Sequence, residues 1–381
     1  MKRTHPGDDV EVQTVVKPMS NVFQLQCEDA ERERHAAPEV VAKWEELAKK
    51  VALTLRTAKS KHSCQYKDLD SWKKYGITHP FNELADAVAR STSSVTEYKW
   101  ASPEEVIVLS DSAIDLIGSS FFIMRIFVTL PDSLFGKRDY INLTYPTKRA
   151  HYMCGALLAL RKAYKDYEIS FMPGLGRDAI FPVLKVTDKT STGCVLIHFG
   201  ASESVLAKTS RFAPNISNLR PSAVYPHITD KDEEATPEFN QRILRTILEP
   251  AIIRRVSAEL RHKEHIVSAL ALAARFFKCR DLPEFDDLFL ACFFVRLLET
   301  NVVAKQQDVL TMLRNVFSAI ANWNTTTAMG FHPDDLEEDV IAAHIASFPI
   351  VFLDSTGYWN IAAVISEDSL LLVCFRFSSL L

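Results

Sequence analysis

Chemistry in this chain would start at Gly118-Ser119 and the apolar run behind them. A Gly-Ser pair at the head of a small α/β unit can bring backbone N–H groups up to a phosphate, because glycine permits close approach of the chain. One route to reaction at such a phosphate uses two carboxylates one residue apart on the next strand, where they project on one face. Those carboxylates hold metal ions that clamp the attacking and leaving oxygens. The following apolar segment is Phe121–Leu130, with Arg125 inside it and no acid before Asp132. The chain therefore carries a phosphate-loop remnant at Gly118 and Ser119 without the metal-holding groups. Losing them removes most of the metal-derived acceleration, because nothing is left to neutralise the dications.

Other acids do not repair the gap. Asp111 and Asp115 fall one helical turn apart if their segment is helical, but they precede the Gly-Ser pair. The predicted strand Cys194–Phe199 carries no carboxylate either, and Glu203 falls beyond it. His262 and His265 are three apart on a predicted helix and could approach one metal, with no second pair to complete a site. Gly174-Leu175-Gly176 lacks the fuller GxGxxG spacing and a following helix. No nucleophile elbow, HExxH, Walker or EF-hand motif occurs. No catalytic residue, metal or cofactor is assigned on these grounds.

The remaining chemistry-bearing residues are cations. Lys137, Arg138, Lys148, Arg149 and Lys162 make the stretch after Leu130 locally basic. At 100° per residue, a helix over Thr147–Tyr167 puts Ala150, Met153, Leu157, Leu160 and Tyr164 on one face. Lys148 and Lys162 then point away from it. Such a face is either simply solvated or in contact with a phosphate backbone.

Positioning these residues requires alternating elements. Pro38 opens a helix through about Thr57, with Val41, Trp44, Leu47, Ala48, Val51 and Leu55 at helical spacing. Residues 58–100 are predicted extended or turn-rich. Ser102-Pro103-Glu104-Glu105 resembles a capped helix start, although Val106–Leu109 fits a strand equally well. Ile169–Met172 and Ile180–Val186 form a hairpin around glycines, and Cys194–Phe199 is a buried strand. From Thr236 the pattern turns helical, through Ile243–Leu260 with a kink at Pro250, Ile266–Phe277, Leu288–Leu298, Lys305–Trp323 and a last helix to Ser347. Phe348–Ile365 reads as two strands about a turn at Asp354–Gly357, ahead of an apolar close. The expected division is a flexible arm 1–37, an N-terminal helix and extension 38–100, a mixed-sheet unit 101–235, a helical unit 236–347, and strands 348–381 beginning a truncated next unit.

Composition bounds the class. A hydrophobic fraction of 47% and a charged fraction of 24% over 381 residues provide for a sizeable globular core. A net charge of −4 excludes a generally basic coat protein but permits local basic patches. Seven scattered cysteines without CxxC spacing fit reduced thiols of the cytosol or nucleus. No apolar leader opens the chain, and the densest apolar run, Leu288–Leu298, is too short to cross a bilayer.

The runs VTLPDSLFGKRDYINLTYPTKRAHYMCGAL, TPEFNQRIL and FPIVFLDSTGYWNIAAVI, in that order, resemble the nucleolar RNA-associated (Nrap) family of small-subunit processome proteins. The resemblance covers about Phe23–Ile365. It implies an α+β fold: a nucleotidyltransferase-like mixed-sheet domain followed by an all-helical domain like that of poly(A) polymerases. It places Gly118-Ser119 at the phosphate-loop position and Thr236 near the start of the helical domain. Family members have a longer, acid-bearing segment before the Leu-Pro that here is Leu130-Pro131, so the departure also argues against catalysis. The function implied is an inactive scaffold of ribosome biogenesis in the nucleolus, binding pre-rRNA, small nucleolar RNA and processome proteins, with no membrane and with Lys137, Arg138, Lys148, Arg149 and Lys162 as RNA contacts. Two alternatives stay open: a working nucleotidyltransferase using Asp111, Asp115 or Glu203, and a protein-only adaptor.

Overall fold

Pro38 begins α1 (Pro38–Thr57), where its missing N–H costs nothing. The predicted stripe is buried at Trp44, Leu47, Ala48, Val51 and Leu55, while Val41 is half-buried. The computed structural model describes Leu25, Glu28, Asp29 and residues 37–378, apart from 92–96, 110–120, 191, 205–208, 226 and 228–233. After α1 come β1 (Ser63–Gln65), α2 (Ala85–Ser91) and β2 (Glu97–Lys99), with β1 and β2 paired antiparallel.

The next strands make the central sheet. They are β3 (Glu105–Leu109), β4 (Phe122–Leu130), β5 (Glu168–Gly174), β6 (Asp178–Thr187) and β7 (Gly193–Ala201), in the order β3-β4-β7-β6-β5. Val106–Leu109 is thus strand, not helix. Only β4 and β7 run parallel, and the crossover between them is α3 (Thr144–Ala163) plus the β5–β6 hairpin. β4 is near-continuously apolar because both of its faces are covered. Met124, Ile126, Val128 and Leu130 join α1 and α3 in one core. Phe127 joins the helices that follow the sheet in the other core.

After the sheet come α4 (Pro221–Val224), which packs on α2, and then α5 (Pro237–Leu260), α6 (Glu264–Lys278), α7 (Asp287–Glu299) and α8 (Val309–Ala321), which form that core. Then come β8 (Met329–Gly330), α9 (Glu338–Ser347), β9 (Phe352–Leu353) and α10 (Glu367–Ser378). The mixed α+β architecture is as expected, but the helical half also contains the parallel pair β8–β9.

Two expectations are corrected. Within 38–100, α1 does not stand beside the sheet. α1 packs on β3, β4 and β7 as a layer of it, since its apolar stripe needs that face. Phe348–Ile365 does pair across its turn, through an antiparallel bridge between Leu353 and Asn360 and the Ile361 N–H donating to the Phe352 carbonyl at 2.8 Å, but it packs into the helical unit. Its turn forms, with Gly357 at φ 77° and the Asp354 carboxylate accepting N–H bonds from Thr356 and Trp359. Only Phe352–Leu353 is strand. The Asn360 N–H donates to Gln241 Oε1 of α5 at 2.6 Å, and Gln241 Nε2 donates to the Tyr358 carbonyl at 3.0 Å. Trp359 and Ile361 bury in the helical core, so this segment completes that core.

Candidate functional site

Strand alternation and register decide what lies on the sheet face turned toward α5. Arg125 pairs with Leu196, Phe127 with His198, and Thr129 with Gly200. These residues share a face because side chains alternate along each strand. In β4 and β7, from Phe122 to Leu130 and from Gly193 to Ala201, no residue is an acid. The same face carries Arg125, whose charge acts on His198, Glu249 and Asp287.

α5 is seated directly on this face. A Cβ at Gly200 would collide with the Thr246 carbonyl oxygen, so the helix backbone lies against the strand backbone there. Tyr145 of α3 closes the same point. Its hydroxyl is 2.6 Å from Thr246 Oγ1 and accepts the Ala201 N–H at 3.2 Å. Beside it, His198 stacks on Phe127 with ring centroids 4.8 Å apart. His198 Nδ1 lies 3.9 Å from Glu249 Oε2, and Arg245 reaches both Glu249 at 3.4 Å and Asp286 at 2.8 Å. Burial holds the His198 imidazole down to about 4, against the pull of Glu249. Burial works to raise the Glu249 carboxyl, but Arg245, His198 and Arg125 outweigh it and keep it below its ordinary value. The arrangement is a packed, charge-compensated seam between sheet and helices.

Gly118, Ser119, Asp111 and Asp115 lie outside the described residues. Glu203 is exposed in the turn after β7. The nearest acid after β4, Asp132, has both carboxylate oxygens taken, by Ser202 Oγ at 2.5 Å and Ser204 Oγ at 2.9 Å. His262 and His265 do not share a helix. His262 sits in the turn between α5 and α6 at φ 60°, and His265 Nε2 bonds the Lys305 carbonyl at 2.6 Å. Among the described residues no group of three or more His, Cys, Asp or Glu converges as metal ligands.

The five predicted RNA contacts separate. Lys137, Arg138 and Lys162 are exposed. Lys148 and Arg149 are corrected to interior residues, 5% and 2% exposed. Lys148 Nζ donates to the Leu134 carbonyl at 2.8 Å and to Asp139 Oδ2 at 2.6 Å. Arg149 Nε and Nη2 each donate at 2.7 Å, to the Phe199 and Pro182 carbonyls. Burial lowers the Arg149 guanidinium to about 10, which leaves it charged at neutral pH. The helical-wheel argument assumed one covered face, but α3 is buried on every side from Tyr145 to Leu157. The 58–100 segment wraps it. His151 Nδ1 accepts the Trp72 indole N–H at 2.9 Å, and Nε2 meets the Tyr66 carbonyl at 2.8 Å. Lys162 stands 14 residues beyond Lys148 on α3, roughly 21 Å along the axis at 1.5 Å per residue.

Arg211 and Arg220 are not among the contacts predicted from the sequence. Both lie in the segment that packs against residues 136–142, and neither shows a local pattern that would have singled it out.

No described helix is long and apolar enough to cross a membrane. Among solved structures, similarity extends to Cid1 in complex with its short product ApU, at 9% identity and a TM-score of 0.48 over 94% of this chain and 92% of that one. Terminal uridylyl transferase 4 from Trypanosoma brucei matches at 8% identity and a TM-score of 0.41, over 86% and 97%. Among curated proteins, Nucleolar protein 6 of Drosophila pseudoobscura pseudoobscura is 23% identical over 253 residues, 63% of this chain and 21% of that protein. The Drosophila melanogaster protein of the same name is 20% identical over 250 residues, 63% and 21%. The chain thus spans about a fifth of the length of the curated relatives it matches. The family description Nrap protein domain 1 matches residues 55–258, and the chain belongs to the Nrap family.

Proposed function

We propose that this chain is a non-catalytic scaffold of ribosome biogenesis. It acts in the nucleolus within the small-subunit processome and binds pre-rRNA or small nucleolar RNA together with processome proteins. The relatives named Nucleolar protein 6 support the compartment. The observation that carries the non-catalytic reading is the sheet face itself. Where metal-holding carboxylates would project, it presents Arg125, Phe127 and His198, and α5 rests on Gly200. A cation at that place repels divalent metal and attracts the acids of α5 and α7 instead. The same face then serves as an internal joint that fixes the helical half on the sheet. Exposed Lys137 and Arg138 support an RNA contact outside the joint.

The test is incubation of the purified chain with labelled RNA, all four nucleoside triphosphates and either magnesium or manganese. No extension of the RNA is expected. Metal-dependent nucleotide incorporation that Asp111→Asn, Asp115→Asn or Glu203→Gln abolishes would overturn the reading in favour of an active transferase. Crosslinking in cells that recovers proteins but no RNA would leave a protein-only adaptor.

A further inference from the structure

Two loops distant in sequence meet on one surface, 136–142 after β4 and 209–220 after β7. Arg211 Nη1 donates to the Lys137 carbonyl at 3.3 Å, and its guanidinium lies 5.4 Å from the Tyr140 ring centroid. The Asn142 N–H donates to the Asn218 carbonyl at 2.6 Å, while Asn142 Oδ1 accepts the Arg220 N–H at 2.9 Å. Asn218 Nδ2 donates to the Arg211 carbonyl and to Asn240 Oδ1 of α5, each at 2.8 Å. This ladder ties both loops to the rigid body of the protein.

Its electrostatic consequence follows from Asp139. That carboxylate turns inward, where Oδ2 accepts Lys148 Nζ at 2.6 Å and the Gly136 N–H at 2.6 Å. The acid of the Lys137-Arg138-Asp139 run is therefore taken by a buried lysine and does not pair with its two exposed neighbours. Lys137, Arg138 and Arg220 are exposed and Arg211 is half-buried. Among the described residues none of the four is ion-paired.

We propose that Lys137, Arg138, Arg211 and Arg220 form one surface that binds the phosphate backbone of RNA. This rests on the reading that the chain binds RNA, and it places the contact on these two loops. A cluster of unpaired cations on a chain of net charge −4 draws a polyanion locally against the overall charge. The Tyr140 ring is used inside the patch, between the Arg211 guanidinium and the Phe212 ring at 5.7 Å. Tyr140 is therefore not free to stack on a base, and the four cations are suited to phosphates.

The test titrates the full chain against a fluorescent single-stranded RNA of mixed sequence at several salt concentrations. Arg211→Gln with Arg220→Gln should weaken binding roughly tenfold, and flatten log K against log salt by about 1.4, since each contact to a single strand contributes about 0.7. Arg220→Gln alone, at an exposed side chain, should give about half that change in slope, and Arg211→Lys should preserve it. Lys162→Gln should change neither quantity. If the folded double variant binds with wild-type affinity and slope, the patch is not the RNA site, although RNA binding by the chain stands. If the wild type binds no RNA, both ideas fall. Capture of a polyglutamate peptide in place of RNA would give the patch to an acidic protein and also overturn the proposal.

Discussion

Lys137 and Lys148 differ more in consequence than any pair of like residues here. Lys148 supplies the cation that satisfies Asp139, so its replacement leaves a largely buried carboxylate without its partner. Lys148→Gln should cost about 3 kcal/mol. Arg149→Ala should cost a similar amount, because the Phe199 and Pro182 carbonyls lose their donors in the interior, at about 1–3 kcal/mol for each unsatisfied group. Lys137→Gln, at an exposed site, should move stability by no more than about 0.5 kcal/mol. Urea denaturation of the three variants checks this. Equal and small effects would mean that the two α3 cations are not held inside.

At the scale of elements, the joint between β7 and α5 is the place to test. Gly200→Ala puts a methyl into the Thr246 carbonyl, and neither backbone can yield without separating strand from helix. A loss of about 2–3 kcal/mol is expected, in line with overpacking elsewhere. Tyr145→Phe removes the hydroxyl that serves both Thr246 and the Ala201 N–H, and should cost about 1–2 kcal/mol. The two changes meet at one point, so their double variant should fall short of additivity by more than about 0.5 kcal/mol. Simple additivity in denaturation midpoints would show that α3 and α5 do not share this joint.

At the scale of the molecule, five imidazoles among the described residues are kept neutral by burial. His62 and His79 lie in the segment packed on α3 and His151 on α3 itself, His198 is at the seam, and His344 is in the helical half. Burial lowers His151, His198 and His344 each to about 4, and His62 and His79 below their ordinary value. The unfolded chain binds protons near 6.5. Between that value and the folded ones it therefore binds more protons than the native state, and stability must fall as pH falls. Each such histidine contributes up to about 1.4 kcal/mol per pH unit below 6.5. Urea midpoints should drop steadily from about pH 7.5 to about pH 5.5, above the range where carboxylates dominate. His79→Gln with His151→Gln should lessen that slope whatever it does to the midpoint at pH 7.5. A midpoint unchanged over the interval would contradict burial of neutral histidines.

The sequence by itself determined what local periodicity and residue type can carry. The α1 stripe, the β5–β6 hairpin around its glycines and the helical half after Thr236 follow from spacing alone. The lack of acids in the strands that became β4 and β7 was equally legible. Tertiary structure decided which charges face water. A helical wheel fixes angles about one axis, but whether a given angle meets solvent depends on what other segments pack there, here 58–91 and the loop just before α3. Long-range contacts also brought Arg211 and Arg220 beside Lys137, and stapled Asn360 to Gln241 across 119 positions. Such pairings are set by complementary surfaces meeting in three dimensions. Their residues carry no periodic signal, because hydrogen bonds between loops repeat at no fixed spacing along the chain.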